Sequence, residues 1–330
     1  MFMRRALVGG LAAGALLLTG CSTSDDQSSS GTESDSGSDA APTSASDIRI
    51  DVITHAAAGD SFWDVVKGGA ERAGEDLGVE LNYQSDPDPG AQSTLIDTAV
   101  ADQTDGLVIS MANPDGLEAS IKAAVEAGVP VITINSGIDD WQDFGAITHV
   151  GQSETIAGET AGEQLNEAGV TNVVCVIQEA GNVALEERCR AAASTFSGDM
   201  ENLQTDNNDL AGSQSTIEAK LQDGSVDGVL TLGGDMAGAA VKAVEATGSS
   251  ALIGTFDLNA TVAQDVLDGK LLFAVDQQPY VQGYLGVTGI YLKLINGNDI
   301  GGGQPVYSGP AVITKDNAEA VLTFAEEGTR

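Results

Sequence analysis

The chain has 330 residues, 42% of them hydrophobic, and sets 14 Lys and Arg against 49 Asp and Glu for a formal net charge of −35. So few cations exclude nucleic acid as a partner, because phosphate binding needs clustered Lys and Arg. The excess negative charge reads as a solvated surface.

From the first residue, Arg4 and Arg5 precede an apolar run from Ala6 to Leu18, the layout of a secretory signal. The run is shorter than the roughly 20 residues that span a bilayer. It closes on Leu18-Thr19-Gly20-Cys21, which resembles a bacterial lipobox and implies lipidation of the Cys21 thiol before cleavage removes residues 1–20 and leaves it as the first mature residue. The expected location is extracytoplasmic, with the lipid as the only membrane attachment. Ser22 to Asp47 is rich in Ser, Asp, Gly, Thr and Ala, too polar to offset its ordering entropy, and is expected to tether the folded part.

The remainder, Ile48 to Arg330, exceeds the roughly 100–150 residues of one domain and predicts two lobes with separate cores. Short β-branched runs alternate with amphipathic stretches, the pattern of a parallel sheet covered by helices. Strands are predicted at Ile48–Ile53, Val79–Tyr83, Gly106–Ser110 and Val131–Ile134, with helices near Phe62–Leu77, Ala91–Val100 and Leu117–Ala127. The second half repeats the rhythm. Its strands are predicted at Val173–Ile177, Val229–Leu232, Leu252–Phe256 and Leu271–Val275. Its helices fall near Thr155–Glu167, Leu185–Thr195, Thr216–Leu221, Met236–Ala246, Val262–Leu267 and Tyr280–Ile295.

The two halves echo each other. Asp105-Gly106-Leu107-Val108 opens a strand and helix ending Val125-Glu126-Ala127-Gly128, and Asp227-Gly228-Val229-Leu230 opens one reaching Val244-Glu245-Ala246-Thr247-Gly248. The strand that follows each unit stops before a polar residue, Asn135 in one and Asp257 in the other. Open α/β sheets bind ligands at such carboxyl ends.

A polyhydroxylated ligand calls for carboxylates, amides, an Arg fork and aromatic plates. The loop Gly59-Asp60-Ser61-Phe62-Trp63 supplies a carboxylate and two aromatics in a chain with only 4% aromatic residues. Asp60 or Ser61 also suits a helix cap, and Phe62 or Trp63 the core. In Met111-Ala112-Asn113-Pro114, Asn113 offers an amide beside a turn marker. With Cys21 assigned to lipid, Cys175 and Cys189 remain, and an oxidising compartment favours a disulfide over two free thiols, with metal binding a third reading.

These segments in order resemble the ribose and galactose type of bacterial periplasmic sugar-binding protein, over nearly all of Ile48–Thr314. Gly59–Trp63, Asn113-Pro114 and Thr133-Ile134-Asn135-Ser136 match its first, third and fourth strand ends. Gly181-Asn182 with Leu185-Glu186-Glu187-Arg188, Gly254-Thr255-Phe256-Asp257, and Gln277-Gln278-Pro279 match its later binding stretches. The resemblance implies a type I periplasmic binding protein: two Rossmann-like, doubly wound α/β lobes joined by a multi-strand hinge. The N-terminal lobe is expected at 48–150 plus 279–308 and the C-terminal lobe at 151–278 plus 309–330, with crossings near Gly151, Pro279 and Gly309.

It also implies a monomer that closes on a monosaccharide or related polyol and delivers it to an ABC permease and its ATPase, with no cofactor, no metal and no chemistry on the ligand. Arg188, Asp257 and Gln277 carry over as binders, the alternative for Arg188 being a pair with Glu186 or Glu187 on its own helix. Asn135 and Asp235 join the set as departures. Asn135-Ser136 stands where the ribose protein has an acid and an Arg, and Gly233-Gly234-Asp235 where an Asn-Asp pair is usual, which leaves the sugar open. A Cys175–Cys189 bond would fix the helix of Arg188. Arg188→Ala or Asp257→Ala is expected to abolish binding with the fold intact.

Three rivals stand beside this reading. A sugar hydrolase would use Asp60 and Asp257, but no catalytic motif accompanies them and the chain has only His55 and His149. A repressor of the same fold would carry a helix-turn-helix where the signal stands. A sensory receptor for a sugar or furanose signal would share every feature above.

Overall fold

A computed structural model describes residues 44–222 and 224–330, and residues 40–330 form one unit. The expected secretory signal, Cys21 and the expected tether up to residue 43 lie outside the described residues.

Five parallel strands open the first lobe: β1 (Arg49–Thr54), β2 (Glu80–Ser85), β3 (Gly106–Ser110), β4 (Val131–Ile134) and β5 (His149–Gln152). Helices α1 (Ser61–Leu77), α2 (Pro89–Ala101) and α3 (Pro114–Glu126) connect the first four. The second lobe holds β6 (Asn172–Ile177), β7 (Asp199–Gln204), β8 (Gly228–Thr231), β9 (Leu252–Phe256) and β10 (Phe273–Asp276). Its helices are α4 (Glu154–Ala168), α5 (Val183–Thr195), α6 (Leu210–Leu221), α7 (Gly234–Thr247) and α8 (Ala260–Asp268).

Helix α9 (Pro279–Asn296) returns to the first sheet. Strand β11 (Val306–Gly309) then joins β5 in parallel, and β12 (Ala311–Thr314) pairs antiparallel with β10 before α10 (Ala318–Glu326). The sheet orders are β11-β5-β4-β3-β1-β2 and β12-β10-β9-β8-β6-β7. The chain passes between sheets after Gln152, after Asp276 and between Gly309 and Ala311, where the Gly309–Pro310 peptide is cis.

All five residues of β3 are buried, as are all four of β4, because helices cover both faces of a parallel sheet. Each sheet therefore has two cores, one per face. In the first lobe Val52, Val66, Val108 and Ile290 pack on one side and Ile53, Ile96, Leu107 and Ile121 on the other. In the second, Val174, Val229 and Val262 oppose Val173, Leu230 and Phe256. Glycines let the helices meet: a Cβ on Gly69 of α1 would strike the backbone carbonyl of Tyr280, and one on Gly283 of α9 that of Val66.

The central strands lie where the apolar runs predict them. Strands β5, β7, β11 and β12 and helix α10 carry no prediction, and α6 begins at Leu210 rather than Thr216. Strand β7 is a sheet edge whose residues are half or fully exposed, so no apolar run marks it. Strands β5, β11 and β12 have four residues each, with His149, Gly151, Gln152, Tyr307, Ser308 and Gly309 breaking up any apolar run in the first two.

Candidate functional site

The carboxyl ends of both sheets face one cleft, the place where open α/β sheets bind ligands. Its wall takes His55 from the end of β1, Asp60 to Trp63 from the start of α1, and Asn135 from the end of β4. The second lobe adds Gln178 and Glu179 after β6, Arg188 from α5, Gly233 to Asp235 at the start of α7, Asp257 after β9 and Gln277 after β10.

Asn135 and Asp257, the two strand-end residues of the internal echo, both adopt the left-handed region, with φ of 63° and 66°. Their amides donate in equivalent fashion to the neighbouring strand, Asn135 to the Val150 carbonyl at 3.1 Å and Asp257 to that of Val275 at 2.9 Å. Asn and Asp accept this conformation more readily than other non-Gly residues.

On the first-lobe wall, Asp60 caps α1. One carboxylate oxygen accepts from the Phe62 amide at 3.0 Å and the other from the Asn207 side chain of the opposite lobe at 2.9 Å. Burial, with Glu179 nearby, pushes its pKa up to about 6. Trp63 is buried and meets His55 and Phe62 edge to face, at centroid distances of 4.7 and 5.2 Å. His55 pairs its Nδ1 with Ser110 Oγ at 2.7 Å. Burial, with Arg188 near, lowers its pKa to about 3, so the ring is neutral.

On the second-lobe wall, Arg188 is 2% exposed. It pairs with neither Glu186 nor Glu187 but with Glu154, through Nε at 2.6 Å and Nη2 at 3.1 Å, while Nη1 donates to the Leu232 carbonyl at 3.2 Å. Its guanidinium lies 4.9 Å from the Phe256 ring centroid. A disulfide joins Cys175 of β6 to Cys189, the residue after Arg188. Asp257 accepts from Gln277 Nε2 at 2.6 Å, and burial, opposed by Arg188 and that bond, holds its pKa up at about 7. Glu179 is also raised by burial.

Several bonds cross the cleft besides Asn207–Asp60: Ser61 Oγ donates to Asp235 at 3.1 Å, Asn135 Nδ2 to Gln277 Oε1 at 3.0 Å, and the Val183 amide to the Ala112 carbonyl at 3.0 Å. Gln178 keeps a buried side-chain oxygen without a partner. A Cβ on Gly233 would lie 2.9 Å from its Nε2, so the glycine that departs from the expected Asn-Asp pair leaves that amide its place. The wall thus presents carboxylates, amides, one anchored guanidinium and two aromatics, a set that both donates to and accepts from hydroxyls.

Of the residues singled out in the sequence, Asp60, Phe62, Trp63, Asn135, Arg188, Asp235, Asp257 and Gln277 line this cavity. Asn113 does not. Its side-chain oxygen accepts from the Gly116 amide at 2.9 Å as the N-cap of α3, and it lines a separate hollow at the mouth of the cleft. Sequence reading missed His55, Gln178, Glu179, Asn182 and Asn207 as wall residues. Gln178-Glu179 directly follow a predicted strand and were findable by the strand-end rule; Asn207 follows the unpredicted β7 and was not. Among the described residues no group of three or more His, Cys, Asp or Glu could hold a metal ion, and no helix is long and apolar enough to cross a membrane.

Residues 50–299 match the family described as periplasmic binding protein domain. A carbohydrate transporter from Acidothermus cellulolyticus 11B, solved in complex with myo-inositol, is 43% identical with a TM-score of 0.85, over 86% of this chain and 99% of that one. An ABC transporter solute binding protein from Burkholderia graminis C4D1M, in complex with D-arabinose, shares the fold at 23% identity and a TM-score of 0.75, over 84% and 98%. The xylose/arabinose-binding protein of Sulfolobus acidocaldarius is 25% identical over 66% of this chain, and the match spans 60% of that relative's length. The ribose import binding protein of Haemophilus influenzae is 25% identical over 69% of this chain and 79% of that protein.

Proposed function

The chain belongs to the periplasmic binding protein domain family, as a sugar-binding protein of the ABC-importer type, and from that premise we propose that it captures a cyclic polyol, myo-inositol or a monosaccharide of similar size, between its lobes. The observation that carries this reading is the convergence of Asp60, Asn135, Arg188, Asp257 and Gln277 from both sheets on one cavity, in a chain 43% identical to a myo-inositol complex.

Each lobe supplies part of the wall. A polyol first held by Arg188, Asp257 and the amides of one lobe gains Asp60, Trp63 and Asn135 as the cleft closes, and the cross-cleft bonds of Asn207, Ser61 and Val183 hold the closed form. Arg188 has five N–H donors, of which protein acceptors take three, leaving two for ligand hydroxyls. The closed form hands its ligand to the permease and its ATPase without chemistry. The chain is a monomer held to the membrane by a lipid on Cys21, with lobes at 48–150 plus 279–308 and 151–278 plus 309–330.

The test is a thermal-shift screen of Ser22–Arg330 against cyclitols, pentoses, hexoses and linear polyols, since a ligand that binds only the folded state raises Tm. A shift of several degrees with one cyclic polyol, and no loss of ligand on prolonged incubation, is expected. No shift across the panel would overturn the reading.

A further inference from the structure

Glu154 stands outside the expected binding set, yet it determines how the site's cation is presented. It is the first residue of α4, immediately after the first crossing between sheets, and is 3% exposed. Its two oxygens take the Nε and Nη2 donors of Arg188, at 2.6 and 3.1 Å. Oε2 also accepts from Gln152 Nε2 at 3.0 Å. Gln152 is the last residue of β5 in the first-lobe sheet and stands in register with Gly309, where the third crossing begins. One carboxylate therefore ties the binding-site arginine to a strand of the other lobe at the hinge.

The consequences are geometric and electrostatic. A guanidinium is a rigid fork, and fixing one edge on Glu154 and one nitrogen on Leu232, with the Phe256 ring 4.9 Å away, leaves a single orientation for the two free N–H groups. An arginine fixed before the ligand arrives spares it the ordering cost of a long side chain. Glu154 also neutralises Arg188, so that the cation does not fully compensate Asp257, whose ionisation Glu154 itself opposes. The remaining charged groups on the wall are the carboxylates Asp60, Glu179 and Asp235, and His55 is neutral.

We propose that Glu154 is the positioning residue of the site, holding Arg188 in its ligand-ready orientation and anchoring it to the hinge strand through Gln152. This rests on the polyol-binding reading above for its affinity arm alone.

The experiment compares Glu154→Gln and Glu154→Asp with the parent protein, by calorimetry against the polyol found in the screen and by 13C NMR titration of Asp257 without ligand. Loss of a charge-assisted bond predicts about a 10- to 100-fold weaker Kd for E154Q. In the same variant Asp257 faces an unneutralised Arg188, so its titration midpoint moves down from about 7. E154D retains the charge but sits one methylene further away; it is expected to weaken binding about tenfold with the midpoint kept. Parental Kd in E154Q, or weaker binding with an unmoved Asp257 midpoint, would overturn the proposal, the second result assigning Glu154 to stability alone. If E154Q does not fold, E154D decides by its Kd. If the parent binds no polyol, the function reading fails, while the Asp257 titration still decides whether Glu154 sets the charge state beside Arg188.

Discussion

Arg188→Ala should unfold the second lobe more readily as well as remove the ligand, contrary to the expectation from sequence that the fold would stay intact. Arg188 and Glu154 are 2% and 3% exposed, so truncating the arginine strands a carboxylate left, among the described residues, with the side-chain donor Gln152 at 3.0 Å. The Leu232 carbonyl loses its donor and the Phe256 face its cation. Breaking a buried pair by removing one partner costs about 3–5 kcal/mol, a large share of the roughly 5–15 kcal/mol that holds a typical domain folded. The assay is urea denaturation followed by circular dichroism, with the Arg188→Met, Glu154→Leu double variant beside the single one. The single variant should unfold at clearly lower urea and the double variant should recover most of the difference, since apolar residues of similar volume replace buried pairs at little cost. An Arg188→Ala midpoint equal to the parent's would refute the argument that this pair is a desolvated unit.

Asp257→Asn should flatten the pH dependence of the empty protein. Burial, against the pull of Arg188 and Gln277, raises the carboxyl from 3.8 to about 7; the native state then holds the proton more tightly than the unfolded chain, so stability from this group is full below pH 4 and is lost as pH rises through 7. Melting curves of parent and variant between pH 4 and 7 should show a smaller fall in Tm for the variant, and parallel slopes would contradict the assignment. Gly158→Ala should weaken ligand binding from a distance. A methyl there would lie 2.5 Å from the Arg188 carbonyl and 2.6 Å from Ala191 Cβ, forcing α5 outward at about 1–3 kcal/mol, which paired Tm and Kd measurements would register together.

The legible part of the fold was its buried middle. Strands β3, β4 and β9 stand on their predicted residues because a strand covered on both faces is mostly apolar. The edge strand β7, with sequence Asp199–Gln204, answers to no such demand and left no trace in the pattern. For the site, the rule that ligands gather at strand ends found Asp60, Asn135, Asp257 and Gln277. Asn113, also named by that rule, caps α3 as Asp60 caps α1 and lines the adjoining hollow. The rule could not show which acid holds Arg188. Glu186 and Glu187 are neighbours in sequence, but α5 turns them away from the arginine, and Glu154 reaches it only because α4 packs along α5 through Gly158 and Gly162. Pairings of that kind exist only once helices are packed.

The substitution that made the ligand uncertain has a physical account in the hydrogen bonds between the lobes. Asn135 and Asp257 occupy matching strand ends with nearly equal φ, and Gln277 lies between them. An amide bridging two such positions has one donating and one accepting end. Gln277 Nε2 donates to Asp257 at 2.6 Å, so its Oε1 must be satisfied from the other side, which Asn135 Nδ2 does at 3.0 Å and Gln282 Nε2 at 2.9 Å. A carboxylate at 135 would face that oxygen without a proton to offer, in a setting where both residues are at most 5% exposed, and buried acceptors left facing each other are costly. In this chain the Asn at 135 thus donates to the Gln277 oxygen that faces it, while the other end of Gln277 serves the acid at 257. With Gln277 between the two strand ends, the pair from the internal echo is joined across the hinge, and Asp257 keeps one oxygen for the ligand.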